Sequence, residues 1–110
     1  MAFNELLANH VRNLISSKKN LIEKKMFGGL SFLINGNMAV GVIGDELIVR
    51  AAPEKSEALL KQKHTRVFDF TGKVMKGWLV VTEKGCQSVD ALKPWIKIGT
   101  EFAESLPIKK

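Results

Sequence analysis

The sequence predicts a two-layer α+β fold in which helices pack on a mostly antiparallel sheet. Two turn signals, Asn35-Gly36 and Gly44-Asp45, separate short apolar segments in the way that is typical of hairpins. Apolar residues recur at helical spacing near both ends of the chain. The helical segments also separate groups of strands instead of alternating with single strands, which favours antiparallel pairing.

Length and composition narrow the class of protein. A chain of 110 residues is long enough to bury a modest core, and we expect a single domain over residues 1–110. No apolar run approaches the roughly 20 residues of a membrane span, and the first residues lack the features of a signal peptide. The single cysteine, Cys86, favours a cytoplasmic location. A net charge of +6 favours phosphate-bearing or acidic partners.

The first predicted helix begins after Asn4, a candidate N-cap, and ends in the segment "SSKKN". His10 is expected at the border of its buried side. The apolar residues at helical spacing are Phe3, Leu6, Leu7, Val11, Leu14 and Ile15.

Four strands are predicted next. "LIEKKMF" is expected to be a short strand whose lysines face solvent, and a three-stranded meander follows in "LSFLI", "NMAVGVI" and "ELIVRA". Gly28-Gly29 is predicted to relieve steric limits where the chain bends between two strands. A phosphate-binding role for this glycine pair has weaker support. The apolar content of the meander indicates that part of the second sheet face is also covered, and a dimer partner is one way to cover it.

A helix, two strands and a last helix complete the order α-β-β-β-β-α-β-β-α. Pro53 is expected in the first turn of "PEKSEALLKQ", with Ala58, Leu59 and Leu60 on the buried side. Strands are predicted near residues 66–70 and 78–82, with a loop through 72–77 between them. Asp90 is the candidate N-cap of the last helix, which places Pro94 near its first turn. The predicted buried face of that helix is Leu92, Trp95, Ile96, Gly99, Phe102, Ala103 and Leu106.

The sequence contains no residue pattern that predicts catalysis. Residues 72–77 have the two-glycine spacing of a phosphate loop, but Trp78 follows where the mechanism needs a lysine and a hydroxyl. His10 and His64 lie on unrelated segments. A helix start would lower the pKa of Cys86, but a passive thiol is the favoured interpretation. We therefore expect a protein that is not an enzyme and has no metal or cofactor.

Six residues are candidates for contact with a partner: Lys24, Lys25, Arg50, Lys73, Lys76 and Trp78. The lysines flank methionine and aromatic residues in two segments, so a basic patch around an apolar centre is one interpretation. The other is that they are solvated lysines on a sheet edge, where they discourage aggregation. Arg50, at a strand end, is expected either to reach an acidic partner or to pair locally with Asp45, Glu46 or Glu101.

Three segments together resemble the TfoX N-terminal domain family: "KKMFGGLSFLINGNMAVGVIGDELIVR", "DFTGKVMKGWLVV" and "LKPWIKIGTEFAESLP". The motifs that carry the resemblance are Met-Phe-Gly-Gly at residues 26–29, Asn-Gly at 35–36, Leu-x-x-Arg at 47–50, Thr-Gly-x-x-Met-x-Gly at 71–77 and Ser-Leu-Pro at 105–107. They cover nearly the whole chain and match the free-standing, single-domain members.

The resemblance implies an α+β fold like that of secretion-chaperone-type domains, and it implies no catalytic residues. The family's namesake is a positive regulator of natural competence genes, in which this domain precedes a second one. We therefore expect a regulatory or adaptor module that binds protein or nucleic acid, with a homodimer as a possible assembly. The alternative is a domain that binds or converts a small anionic ligand near Arg50, Lys73 and Lys76.

Overall fold

The computed structural model describes residues 3–26, 28–68 and 77–108, and it confirms the α+β class and the predicted order of elements. In chain order the elements are α1 (Glu5–Ile15), β1 (Leu21–Met26), β2 (Gly29–Ile34), β3 (Asn37–Ile43), β4 (Glu46–Arg50), α2 (Pro53–Leu59), β5 (Thr65–Val67), β6 (Trp78–Val81) and α3 (Val89–Ser105). A short 3₁₀ helix, Glu83–Cys86, precedes α3. Most of the predicted loop through residues 72–77 lies outside the described residues.

The strands form one antiparallel sheet in the order β1-β2-β3-β4-β6-β5. Asn35 and Gly36 have φ values of 55° and 82°, as a two-residue hairpin turn requires. The predicted bend at the glycine pair is confirmed as well. Gly28 has a φ of 75° in the turn between β1 and β2, and a Cβ on Gly29 would lie 2.2 Å from the Val42 carbonyl oxygen.

The helices cover one face of the sheet. Side chains that face them form a buried row across four strands, in which Phe32, Val40, Val49 and Leu79 are paired neighbours. The opposite face carries a second apolar cluster of Met38, Ile48, Phe68 and Val80. These four side chains are at most 5% exposed in the single chain, so their burial does not require a second copy.

Helix α1 begins where the sequence predicts. The Asn4 side chain accepts a hydrogen bond from the Leu7 backbone N–H at 3.0 Å and donates one to Asp45 in the β3–β4 turn at 2.9 Å. Leu6, although it is one of the apolar residues at helical spacing, has a side chain that is 64% exposed. The buried stripe is centred on Leu7 and Val11, and Leu6 lies about 100° around the helix from Leu7.

Two details of the other helices differ from the predictions. Ser88, not Asp90, caps α3 by accepting a hydrogen bond from the Ala91 N–H at 3.1 Å, which places Pro94 inside the helix. On α2, Ala58 is exposed and Ser56 is the buried residue, with its hydroxyl donating to the Pro53 carbonyl at 2.9 Å. Both errors arise because several neighbouring residues satisfy the local rule equally well and packing selects among them.

The sequence analysis found no apolar run long enough to span a membrane, and the helices of the structure can be compared with that expectation. Across residues 3–26, 28–68 and 77–108, no helix combines the length and apolar character needed to cross a bilayer.

Candidate functional site

Arg50 lies at the end of β4, where the sheet meets the second half of α3. Its cross-strand neighbour on β6 is Trp78. The guanidinium carbon lies 5.1 Å from the centroid of the Trp78 ring and 5.3 Å from that of Phe102 on α3. Both distances are within the range of cation–π contacts. The Arg50 guanidinium at the end of β4 is thus in contact with one ring from β6 and one from α3.

No carboxylate accompanies this cation within the described part of the chain, where Arg50 makes no ion pair or side-chain hydrogen bond. Asp45 accepts a hydrogen bond from Asn4, and Glu46 pairs with Arg66 at 2.6 Å. The local pairings considered from the sequence are therefore not formed. Partial burial lowers the pKa of the Arg50 guanidinium below its ordinary value, because desolvation disfavours the charged form.

A groove of about 310 Å³ runs beside Arg50 between α2 and α3, and we call it the α2–α3 groove. Phe102 belongs both to the wall of this groove and to the contact with Arg50. The remaining lining combines small and apolar side chains with three charged ones: Ala51, Ala52, Leu59, Ile98, Ser105, Glu54, Lys55 and Glu101. Arg50 is connected to the partly apolar α2–α3 groove through its contact with Phe102.

The structure separates Lys24 and Lys25 from Arg50. Lys24 and Lys25 are both exposed on β1, and as successive strand residues they point to opposite faces of the sheet. β1 is an edge strand three positions from β4 in the sheet, a separation of roughly 14 Å. Lys73 and Lys76 lie outside the described residues, so the predicted basic patch stays a prediction.

Of the six candidates, the structure brings together Arg50 and Trp78, and it adds Phe102. The Trp78 ring also lies 6.0 Å from the Phe68 ring, at an angle of 38°. The sequence analysis assigned Phe102 to the buried face of the last helix and missed its contact with Arg50. The only signal in the sequence was an aromatic residue near the end of a helical stripe, which does not identify its contact.

Three other groups with perturbed pKa values, Cys86, Glu23 and Arg12, do not line the groove. Burial raises the pKa of the Cys86 thiol to about 11, and the thiol donates to the Val81 carbonyl at 3.5 Å. A helix start does not activate this thiol, in agreement with the passive interpretation. Arg12 holds Glu23 in a two-pronged ion pair that lowers the pKa of the carboxylate. Within residues 3–26, 28–68 and 77–108, no group of three or more His, Cys, Asp and Glu side chains is placed to hold a metal ion.

Comparison with known families gives one result. The family model described as the TfoX N-terminal domain matches residues 13–103, a span that includes Arg50, Trp78 and Phe102. No curated protein matched the chain, and no solved structure matched it.

Proposed function

The chain belongs to the TfoX N-terminal domain family, and from this premise we propose that it is a non-catalytic regulatory or adaptor module. In this proposal it binds a macromolecular partner, a protein or a nucleic acid, through Arg50 and the α2–α3 groove.

The environment of Arg50 carries the proposal. Two aromatic rings hold the guanidinium, partial burial removes some of its hydration, and no carboxylate of the described residues neutralises it. An arginine also loses less of its hydration energy on binding than an ammonium group does, and its planar fork matches a carboxylate or a phosphate. Such a group gains more from an external anion than the solvated lysines of β1 do.

The non-catalytic part of the proposal is supported by the chemistry of the groups present. Arginine stays protonated at physiological pH, so Arg50 does not exchange a proton with a substrate. The Cys86 thiol, with a pKa raised to about 11, is a weak nucleophile at neutral pH.

The groove favours a protein over a nucleic acid as the partner. Glu54 and Glu101 line it together with Lys55. A phosphate backbone carries closely spaced negative charges, and two of the three charged lining side chains would repel them. A protein segment can place a single carboxylate at Arg50 and other side chains along the groove.

The test is affinity capture from the native cell with the wild-type chain and two variants. Arg50→Met removes the proposed contact, and Lys24→Met removes one positive charge on the distant edge strand. We expect a partner that the wild-type chain and Lys24→Met retain and that Arg50→Met loses. Equal capture by all three proteins would contradict the role of Arg50.

Binding to a nucleic acid is tested separately, by the salt dependence of the affinity for DNA. If the chain neutralises about five phosphates of a DNA duplex, the logarithm of the affinity falls with the logarithm of salt concentration with a slope of about −4.5. Fluorescence anisotropy with a labelled duplex measures that slope. No binding at low salt excludes DNA as the partner.

The proposal has three more specific parts: a role in gene regulation, a cytoplasmic location and a homodimeric assembly. The first is supported by the family, and the second by the single cysteine of the sequence. Light scattering tests the third, because a strictly monomeric mass at micromolar concentration rejects a stable dimer.

A small anionic ligand or substrate is the second candidate. The volume of the α2–α3 groove, about 310 Å³, is at the lower end of the range for small-molecule pockets. A thermal-shift screen of anionic compounds, repeated after substitution of Arg50, Lys73 and Lys76, tests it. A ligand whose effect survives all three substitutions would reject this site.

A further inference from the structure

We propose that Arg50 binds the carboxylate of an Asp or Glu side chain in a partner protein, while an adjacent apolar side chain of the same segment enters the α2–α3 groove. This inference rests on the proposed function and specifies the chemistry of the partner. The occupant is thus a short protein segment in which an acidic residue stands next to an apolar one.

The carboxylate follows from the geometry of Arg50. The Trp78 and Phe102 rings, centred 5.1 and 5.3 Å from the guanidinium carbon, restrict the side chain before any ligand arrives. Its N–H donors have no acceptor within the described ranges of the chain. A carboxylate, like a phosphate, accepts two parallel charge-assisted hydrogen bonds from a guanidinium, and the charges that line the groove favour the carboxylate. The side chain is only partly buried, so a ligand can reach it.

The apolar residue of the partner segment is inferred from Phe102, which is common to the Arg50 contact and to the groove. Phe102 contacts Arg50 and also lines the groove, and Ala51, which follows Arg50 in the chain, is another lining residue. The guanidinium and the groove are therefore neighbours that share Phe102. The groove continues from Phe102 to Ala51, Leu59 and Ile98, which offer apolar surface to a side chain. An acidic residue at Arg50 and an apolar residue here therefore fit one continuous segment.

Charge complementarity limits the occupant to a segment of low negative charge. Glu54 and Glu101 line the groove next to Lys55. They would oppose a second and third negative charge along the same path. This disfavours polyphosphate and nucleic-acid strands and favours a segment with one carboxylate.

The experiment uses two blocked pentapeptides that differ at one position, acetyl-Ala-Leu-Glu-Leu-Ala-amide and its Gln analogue. Each is titrated into the intact ¹⁵N-labelled chain while amide and indole N–H resonances are followed by NMR. The Glu peptide is expected to shift the Trp78 indole and the amides of Ala51, Ala52 and Phe102. The Gln peptide keeps the shape and loses the charge, and we expect it to bind at least about 10-fold more weakly.

Protein variants complete a double-mutant cycle. Arg50→Met is expected to lower the affinity for the Glu peptide by about 10-fold or more and to remove the preference for Glu over Gln. Lys24→Met, which changes the net charge equally, is expected to change the affinity less than about twofold because β1 is distant. The amide spectrum of each variant shows whether it is folded, and Arg50→Lys provides a second variant that keeps the charge and loses the planar fork.

Several results would overturn the inference. They are equal binding of the two peptides, no binding of the Glu peptide up to its solubility limit, shifts confined to other surfaces, and stronger groove shifts from a single-stranded oligonucleotide than from the Glu peptide. Failure of the proposed function can be distinguished from failure of this inference. If the Glu peptide binds through Arg50 but no cellular partner depends on Arg50, only the proposed function is contradicted. If capture depends on Arg50 but the peptides bind equally, only this inference is contradicted.

Discussion

Two arginines in this protein have opposite environments. Arg12 on α1 donates from Nε to Glu23 Oε2 at 2.6 Å and from Nη2 to Oε1 at 2.8 Å, and it also contacts Asn9. Arg50 on β4 contacts two aromatic rings and, within the described residues, no carboxylate. The hydrogen bond to Glu23 raises the pKa of Arg12, whereas desolvation lowers the pKa of Arg50.

The difference separates a structural cation from a candidate recognition cation. Arg12 has its donors satisfied by a neighbouring strand and therefore connects α1 to the edge of the sheet. Arg50 is restricted by its contacts but keeps hydrogen-bonding capacity for an external group. Both are arginines at the boundary between a helix layer and a sheet, so only the identity of their neighbours decides the role. Three substitutions test this distinction, and the largest effect is expected for the first.

Gly99→Ala is expected to disturb the Arg50 region most. A Cβ at this position would lie 2.4 Å from the Ala39 carbonyl oxygen, so α3 would have to move away from β3 and carry Phe102 with it. Crowding of this kind costs about 1–3 kcal/mol of unfolding free energy, although helix propensity alone favours alanine over glycine by about 1 kcal/mol. Urea denaturation measures the net change.

Lys97→Ala is the control for this substitution, because it is an exposed change on the same helix. We expect its unfolding free energy to stay within about 0.5 kcal/mol of the wild type. A Gly99→Ala protein that is more stable than the wild type would show that α3 does not need the close approach.

Arg50→Met is expected to have a smaller effect on stability, about 0.5–1 kcal/mol. The substitution removes the cation–π contacts with Trp78 and Phe102 but keeps an apolar stem against both rings. Because no carboxylate of the described residues is involved, the loss should change little between low and high salt. Thermal and urea unfolding at two salt concentrations measure this. A loss that disappears at high salt would indicate an ion pair of Arg50 within the chain.

Glu23→Gln is expected to have the smallest effect, about 0.5 kcal/mol at neutral pH, since exposed ion pairs contribute little. The pKa of Glu23 is lowered in the folded chain, mainly by the hydrogen bond from Arg12. Its stabilising contribution is therefore present above the unfolded-state pKa of about 4.5 and is lost as the pH falls through the folded-state value. Unlike the loss in Arg50→Met, this one should also shrink in high salt.

Urea denaturation of the wild type and Glu23→Gln at pH 7 and pH 3 gives the measurement. Glu57→Gln is a suitable control because Glu57 is exposed on α2 and forms no ion pair with another described residue. A difference between the wild type and Glu23→Gln that persists unchanged at pH 3 would contradict the ion-pair interpretation.

Local features of the fold were predictable because they depend on a few consecutive residues. The positive φ values at Asn35 and Gly36, the cap at Asn4 and the position of Pro53 each follow from the chemistry of one or two side chains. The cap of α3 shows the limit of this reasoning. Ser88 and Asp90 are both good N-caps, two residues apart, and the burial of Leu92 and the rest of the helix face decides between them.

The candidate site was predictable only in part. Arg50 and Trp78 were identified separately as residues suited to a partner, but their contact depends on β4 pairing with β6 instead of with β5, the next strand in the sequence. The neighbouring Lys24 and Lys25 were grouped as one basic feature, and the alternation of β1 places them on opposite faces. Phe102 was assigned to the core because periodicity indicates a face and does not identify contacts.

The sequence by itself determined the order of elements, the turns, the net charge and the family. Tertiary structure alone decided that Arg50 meets Trp78 and Phe102, that Arg12 meets Glu23, and that a groove opens between α2 and α3. The physical reason is the range of the interactions. Backbone preferences and caps act within a few residues of the chain, whereas the neighbours of a side chain are set by strand pairing and helix packing between distant segments.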